Sequence, residues 1–207
     1  MDRIKLAKDA AQQLARSVNS LTKALEDHNR SQALVAAGKV FELSNFYASA
    51  RSSYVEANGL DGDNHEARAR LAIVELKLGL ISDALKTVGA LIEKAPEYRF
   101  LTLDEKPTSA LTVLGDSLRA SGNIPAAAKA YKRAIELVGD DGYAVGRAAE
   151  LLVQSGDLKA AYFLVDRIPD HDLFSAVKST LRLTRNDPDI LPAILGFREG
   201  VQMMSHV

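Results

Sequence analysis

One pattern recurs along the middle of this chain, and it constrains the fold more than any other feature. The segment Leu111–Leu137 carries Leu114-Gly115, Leu118, Gly122, Ala127, Tyr131 and Ala134. A shift of ~34 residues, in the range of helical repeat arrays, finds the same residue types again. Ser121-Gly122-Asn123 becomes Ser155-Gly156-Asp157, Ala127 becomes Ala161 and Leu118 becomes Leu152. In the other direction Ala50, Tyr54 and Ala57 stand where Ala127, Tyr131 and Ala134 stand, preceded by Leu34, Ala37-Gly38 and Phe41. Between them Ala84, Val88, Leu91 and Pro96 follow Gly79 at matching places.

Physical chemistry explains why these positions recur. Gly38, Gly115, Ala50, Ala84, Ala127 and Ala161 are small where two antiparallel helices cross closely, and Tyr54 and Tyr131 fill the space toward the next unit. Gly79, Gly122 and Gly156 end a helix where left-handed backbone is needed. Asn123 and Asp157 can cap the helix that follows. Pro125 falls in a first turn, where its missing N–H costs nothing. A helix pair of this kind cannot bury its apolar face alone, so neighbours must stack.

The pattern resembles the tetratricopeptide repeat, a helix–turn–helix unit of about 34 residues. Units fall at 31–64, 65–98, 108–141 and 142–175, with an insertion at 99–107. Two units depart from the family pattern. Glu75 occupies a place where a large apolar residue is usual, and Val165 and Ile168 replace the aromatic and the small residue of the fourth unit. The resemblance implies an all-α fold, a right-handed α-solenoid of stacked antiparallel helix pairs with N- and C-terminal capping helices.

The ends are read from their own patterns. In 1–30, Ile4, Ala7, Ala11, Leu14, Val18, Leu21 and Leu25 form a heptad-spaced seam on one long amphipathic helix. That helix can be a coiled-coil arm joining two copies of the chain, or a cap over the first repeat. The small, uncharged flanks Ala10, Ala15, Ser17 and Ala24 favour the cap. In 176–207 capping helices are expected: one over residues 171–184, and a last one started by Asp187-Pro188-Asp189, with Ile190, Leu191, Leu195, Phe197, Val201 and Met204 covering the end of the array.

Little points to catalysis. His28, His65, His171 and His206 are never three or four residues apart, the spacing that sets two ligands on one helix face. No phosphate loop, dinucleotide fingerprint or nucleophile elbow occurs. Asp61-Gly62-Asp63 lacks the rest of a calcium loop, and Asp140-Asp141 reads as a linker pair. We therefore expect no enzyme activity, no catalytic residues, no metal site and no cofactor. With no cysteine, disulfides and thiolate metal sites are excluded. Lys plus Arg number 26 against 27 Asp plus Glu, so nucleic acid is not an expected partner. No apolar run reaches the ~18 residues of a membrane span, and the charged start MDRIKLAKD is unlike a leader, so a cytoplasmic location is expected.

What remains is binding of another protein. In the family, the first helix of each pair lines a concave groove. The resemblance implies groove positions at Gln32, Val35, Lys39, Glu42, Glu66, Arg70, Ile73, Lys77, Thr112, Asp116, Arg119, Tyr143, Arg147, Glu150 and Gln154. Lys39, Arg70, Asp116, Arg119, Tyr143 and Arg147 stand out, because arginine and tyrosine are enriched in binding hot spots. The insertion offers a second surface, a loop with Tyr98, Phe100, Leu101 and Leu103. The positions with which relatives clasp a chaperone's C-terminal carboxylate hold Val35, Lys39, Arg70, Ser109 and Val113, so that clamp is absent. The expected function is a non-enzymatic scaffold or adaptor for a peptide or helix of a partner. A chaperone-like holder of a secretion or membrane-complex component, and an accessory subunit of an enzyme complex, are the alternatives.

Overall fold

A computed structural model describes residues 2–139, 141–168 and 172–186. The chain divides into two compact units, 1–87 and 88–207. The fold is all-α, built from consecutive helix pairs, with one short hairpin among the described residues.

In the first unit α1 (Asp2–Leu43) packs on α2 (Tyr47–Leu60), and α2 packs on α3 (His65–Lys77). α1 runs without a break through residue 30, so the expected separate N-terminal cap and the first helix of the first pair are one element. Of its seam, Val18, Leu21 and Leu25 are exposed. The core gathers Val35, Ala50, Tyr54, Ala57, Ala67, Leu71 and Val74. Where α1 crosses α2, Gly38 lies against the Tyr54 ring, with no room for a side chain. Asn64 caps α3 by accepting from the Ala67 N–H at 3.0 Å. Glu75 is buried as an acid: Arg51 Nη2 and the Thr87 hydroxyl donate to it at 3.2 and 2.8 Å.

α4 (Ile81–Lys94) contains the boundary between the units. In the second unit its last residues lead into a hairpin of β1 (Arg99–Leu101) and β2 (Pro107–Ser109), with Phe100 opposite Thr108. The segment expected as a loop is thus paired backbone. Phe100 is buried and stacks on Tyr98 at 5.9 Å between ring centres. Thr102 closes the turn, accepting from the Lys106 N–H and donating to Asp104.

The helices α5 (Ala110–Ala120), α6 (Ile124–Leu137) and α7 (Gly142–Gln154) follow, each packed on the next. Gly122 takes φ 84° between α5 and α6, the left-handed turn the sequence demands, and Asn123 accepts from the Ala126 N–H to cap α6. Asp141, expected in a linker, is fully buried. It caps α7 through the Ala144 N–H at 2.9 Å and accepts the hydroxyls of Thr112 and Thr108 at 2.6 and 3.2 Å.

The fourth pair deviates. Its second helix stops early as α8 (Leu158–Tyr162), followed by a single 3-10 turn at Val165–Arg167 and then α9 (Asp172–Asn186). The sequence reason is visible: Val165 and Ile168 replace the residues that fill such a helix. Phe174 of α9 supplies the missing ring, and a Cβ on Gly146 would lie 2.6 Å from it. Val145, Ala149, Val153, Ala161, Ile168, Phe174, Val177 and Leu181 close this core. The expected last helix, from 187 onward, lies outside the described residues.

Candidate partner-binding faces

The six helix residues singled out in the sequence fall into two clusters, one in each unit. In the first unit Lys39 (α1) and Arg70 (α3) meet on Glu66. Lys39 forms an ion pair with the Glu66 carboxylate, and Arg70 Nε donates to the same oxygen at 3.0 Å. Arg70 Nη1 lies 3.5 Å from Glu42, which accepts the Tyr54 hydroxyl at 2.9 Å. Burial pushes the Glu66 carboxyl up, but the bonds from Lys39 and Arg70 outweigh it and hold the group below its ordinary range. Burial, with Glu42 alongside, pushes the Tyr54 hydroxyl up. The Arg70 side chain is only 3% exposed. It is therefore a structural residue that ties α1 to α3, and not the open anchor expected from its type.

In the second unit Asp116 and Arg119 of α5 meet Tyr143 and Arg147 of α7. The Tyr131 hydroxyl donates to Asp116 Oδ1 at 2.6 Å, and Arg147 Nε lies 3.7 Å from the same oxygen. Arg147 donates to the Tyr143 hydroxyl at 2.9 Å and to Glu150 at 2.8 Å. Its guanidinium sits 5.1 Å from the centre of the Tyr143 ring and 5.8 Å from that of Phe174, within cation–π range. The two rings meet edge to face at 5.6 Å. Burial pushes the Asp116 carboxyl up, and this outweighs Tyr131, Arg147 and Arg119, which all favour its charge. Arg119 differs from Arg147: its Nε is buried and has no hydrogen-bond partner among the described residues.

Chemically, the second cluster offers an incompletely satisfied guanidinium beside two tyrosines and a carboxylate that resists ionisation. Such a surface can receive a carboxylate or carbonyl oxygen. Phe174 and Tyr131 were not expected in it. Tyr131 was readable, since its place in the repeat aims it back at α5. Phe174 was not, since it enters from α9, beyond the helix on which the repeat pattern places the ring.

The inserted segment contributes less surface than expected. Phe100 is buried, Tyr98 and Leu103 are half-buried, and only Leu101 of the four is exposed. Ser109 and Val113 are buried too, Ser109 as the cap of α5. Among the described residues no helix is long and apolar enough to cross a membrane.

Known proteins agree with this architecture. The sequence model of the tetratricopeptide repeat family matches residues 118–183. No curated protein matches the chain by sequence. Solved structures match by fold. A thermophilic tetratricopeptide protein of Thermus thermophilus, TTC0263, superposes with a TM-score of 0.61 at 18% identity, over 79% of this chain and 87% of that one. YrrB, described as having an unusual peptide-binding site, gives 0.56 at 17% identity over 84% and 88%. MamA of Desulfovibrio magneticus gives 0.55 at 19% identity over 81% and 94%. With helix pairs in the order the repeat requires, turn glycines in left-handed backbone and ring-covered glycines at Gly38, Gly115 and Gly146, the chain has the fold of tetratricopeptide-repeat proteins, and its residues 118–183 match that family's sequence model.

Proposed function

We propose that this protein is a non-enzymatic interaction module that holds a segment of another protein on the second unit, against α5, α7 and α9. The observation that carries this reading is the cluster of Asp116, Arg119, Tyr143 and Arg147, in which the buried Arg119 Nε has no partner. Arg119 as a whole is half-buried, so a carboxylate or backbone carbonyl brought by a partner can meet the accessible part of its guanidinium in a charge-assisted hydrogen bond. The described peptide site of YrrB, a structural neighbour, supports peptide binding as the mode. Lys39 and Arg70 belong to the frame of the first unit in this reading, and Leu101 on the hairpin is a secondary contact.

The test is selection of binders from a displayed random-peptide library. Selected peptides are then titrated by calorimetry against wild type, Arg119→Ala and Leu101→Asp. The reading requires peptides that weaken at least tenfold on Arg119→Ala while the variant melts as wild type does. Peptides that ignore Arg119→Ala but are lost on Leu101→Asp would move the site to the hairpin, and no selected peptide at all would remove the proposal.

A further inference from the structure

α1 is far longer than its role in the first helix pair requires. His28 Nδ1 meets Asp61 at 2.7 Å and the Ser31 hydroxyl donates to the Ala57 carbonyl at 2.9 Å, both near the end of α2 at Leu60. Upstream of His28 the helix continues to Asp2, about 39 Å at the usual rise per residue. Residues 18–26 are exposed on every side. Yet three of them are the large apolar residues of the seam: Val18, Leu21 and Leu25 are 52, 70 and 62% exposed. A helix with an apolar seam in water is stabilised by an apolar partner, because propensity alone holds isolated helices only marginally.

We propose that this extension pairs with the same extension of a second copy, antiparallel, through the seam from Ile4 to Leu25. The pattern of sizes selects this occupant and this direction. Read in heptads, the seam is small at Ala7 and Ala11 in its first half and large from Leu14 through Val18, Leu21 and Leu25. An antiparallel pair centred on Arg16 sets Ala7 opposite Leu25, Ala11 opposite Leu21 and Leu14 opposite Val18, each contact occurring twice by symmetry. Every alanine then receives a leucine, as knobs-into-holes packing needs. A parallel pair would set Ala7 and Ala11 against their own copies and leave hollows.

The flanking positions agree. Antiparallel pairing brings Ala10 beside Ala24, Ser17 beside Ser17 and Ala15 beside Ala15, all small enough for close approach. Parallel pairing would instead set Arg3 beside Lys8 of the other copy, a like-charge contact. The basic stretch Arg3, Lys5 and Lys8 also comes alongside Glu26 and Asp27 of the second copy only in the antiparallel arrangement.

The experiment is sedimentation velocity on the full chain from about 1 to 100 µM. We expect a dimer for wild type and a monomer for Leu21→Asp/Leu25→Asp, with the thermal melt of the repeats retained. Because the chain has no cysteine, direction can be read by single substitutions under mild oxidation. A disulfide needs Cα atoms within about 7 Å, so Ser17→Cys should cross-link to itself. Ala11→Cys alone should not, while a mixture of Ala11→Cys and Leu21→Cys should cross-link to each other. A wild type that stays monomeric at about 100 µM, or a dimer unaffected by the double aspartate, overturns the proposal. Self-cross-linking of Ala11→Cys overturns the antiparallel direction and with it the pairing stated here.

Discussion

Gly115 is the hollow that receives the ring of Tyr131: a Cβ built on it would stand 2.5 Å from Cε1 of that ring. The contact fixes how closely α5 and α6 approach, and it aims the tyrosine hydroxyl at Asp116. One glycine thus sets both the packing of a pair and the geometry of the candidate binding face.

The first prediction follows directly. Gly115→Ala should destabilise the protein by about 1–3 kcal/mol, the usual cost of overpacking a filled site. Gly89→Ala is the contrasting substitution. Gly89 is helical, and nothing lies within 4 Å of where its Cβ would go. Relief of the glycine's entropic cost should stabilise by about 0.5–1 kcal/mol. Urea denaturation of both variants checks the signs.

Arg70 is expected to matter for stability. Arg70→Met leaves Glu42 and Glu66 without their buried cation and should cost about 3 kcal/mol, the lower end for breaking a buried ion pair. Adding Glu42→Gln removes an unpaired charge and keeps an acceptor for Tyr54, so the double variant should recover part of the loss. Equal destabilisation by the single and double variants would show that the charge on Glu42 is not what Arg70 offsets.

Asp141 joins the hairpin, α5 and α7 through one carboxylate. Asp141→Ala removes a helix cap and leaves two buried hydroxyls, of Thr108 and Thr112, without their acceptor. A loss of about 3 kcal/mol is expected. Asp141→Asn, which keeps an acceptor for the Ala144 N–H, should lose less. Hydrogen exchange at the Ala144 amide should speed up in the alanine variant and much less in the asparagine variant.

Asp116 gives a pH signature. Its folded-state pKa lies above the ordinary value of 3.8, mainly through burial. The folded protein therefore holds this proton more tightly than the unfolded chain. That contribution to stability is complete below 3.8 and is lost as the pH rises through the raised pKa. Asp116→Asn is uncharged throughout, so its stability relative to wild type should increase as pH climbs through that window. Glu66 and Asp61, whose pKa values are depressed, have the opposite dependence but are shared by both proteins and cancel in the difference. Urea melts at intervals between about pH 3.5 and 7.5 test this; a difference that stays flat or shrinks would contradict it.

The sequence reveals what is local and repeated. Gly79, Gly122 and Gly156 all have positive φ, and Asn123 and Asp157 cap the helices they precede, because each need is set within a few residues. Residue types on the candidate faces were legible for the same reason. Their partners were not. Arg70 faces Glu42 only once α1 and α3 are packed, and Glu75 tolerates burial because Arg51 arrives from α2 and Thr87 from α4. The hairpin was concealed by its brevity: three residues a side carry too little alternation to separate a strand from an apolar loop. The unbroken α1 was legible as a helix but not as a single one, since the repeat pattern begins at 31 with no mark in the helix itself.

Phe174 has an implication for descent. Tyr131 and the glycine it covers lie within one repeat period, so duplicating residues 108–141 copies ring and hollow together. Gly146 is filled from α9, so a copy that ends at Ile168 carries the hollow without its ring, and only one that runs on past Phe174 carries both. Recombination can therefore lengthen this protein in its interior one compact pair at a time, whereas at the fourth unit the copied segment must reach into α9.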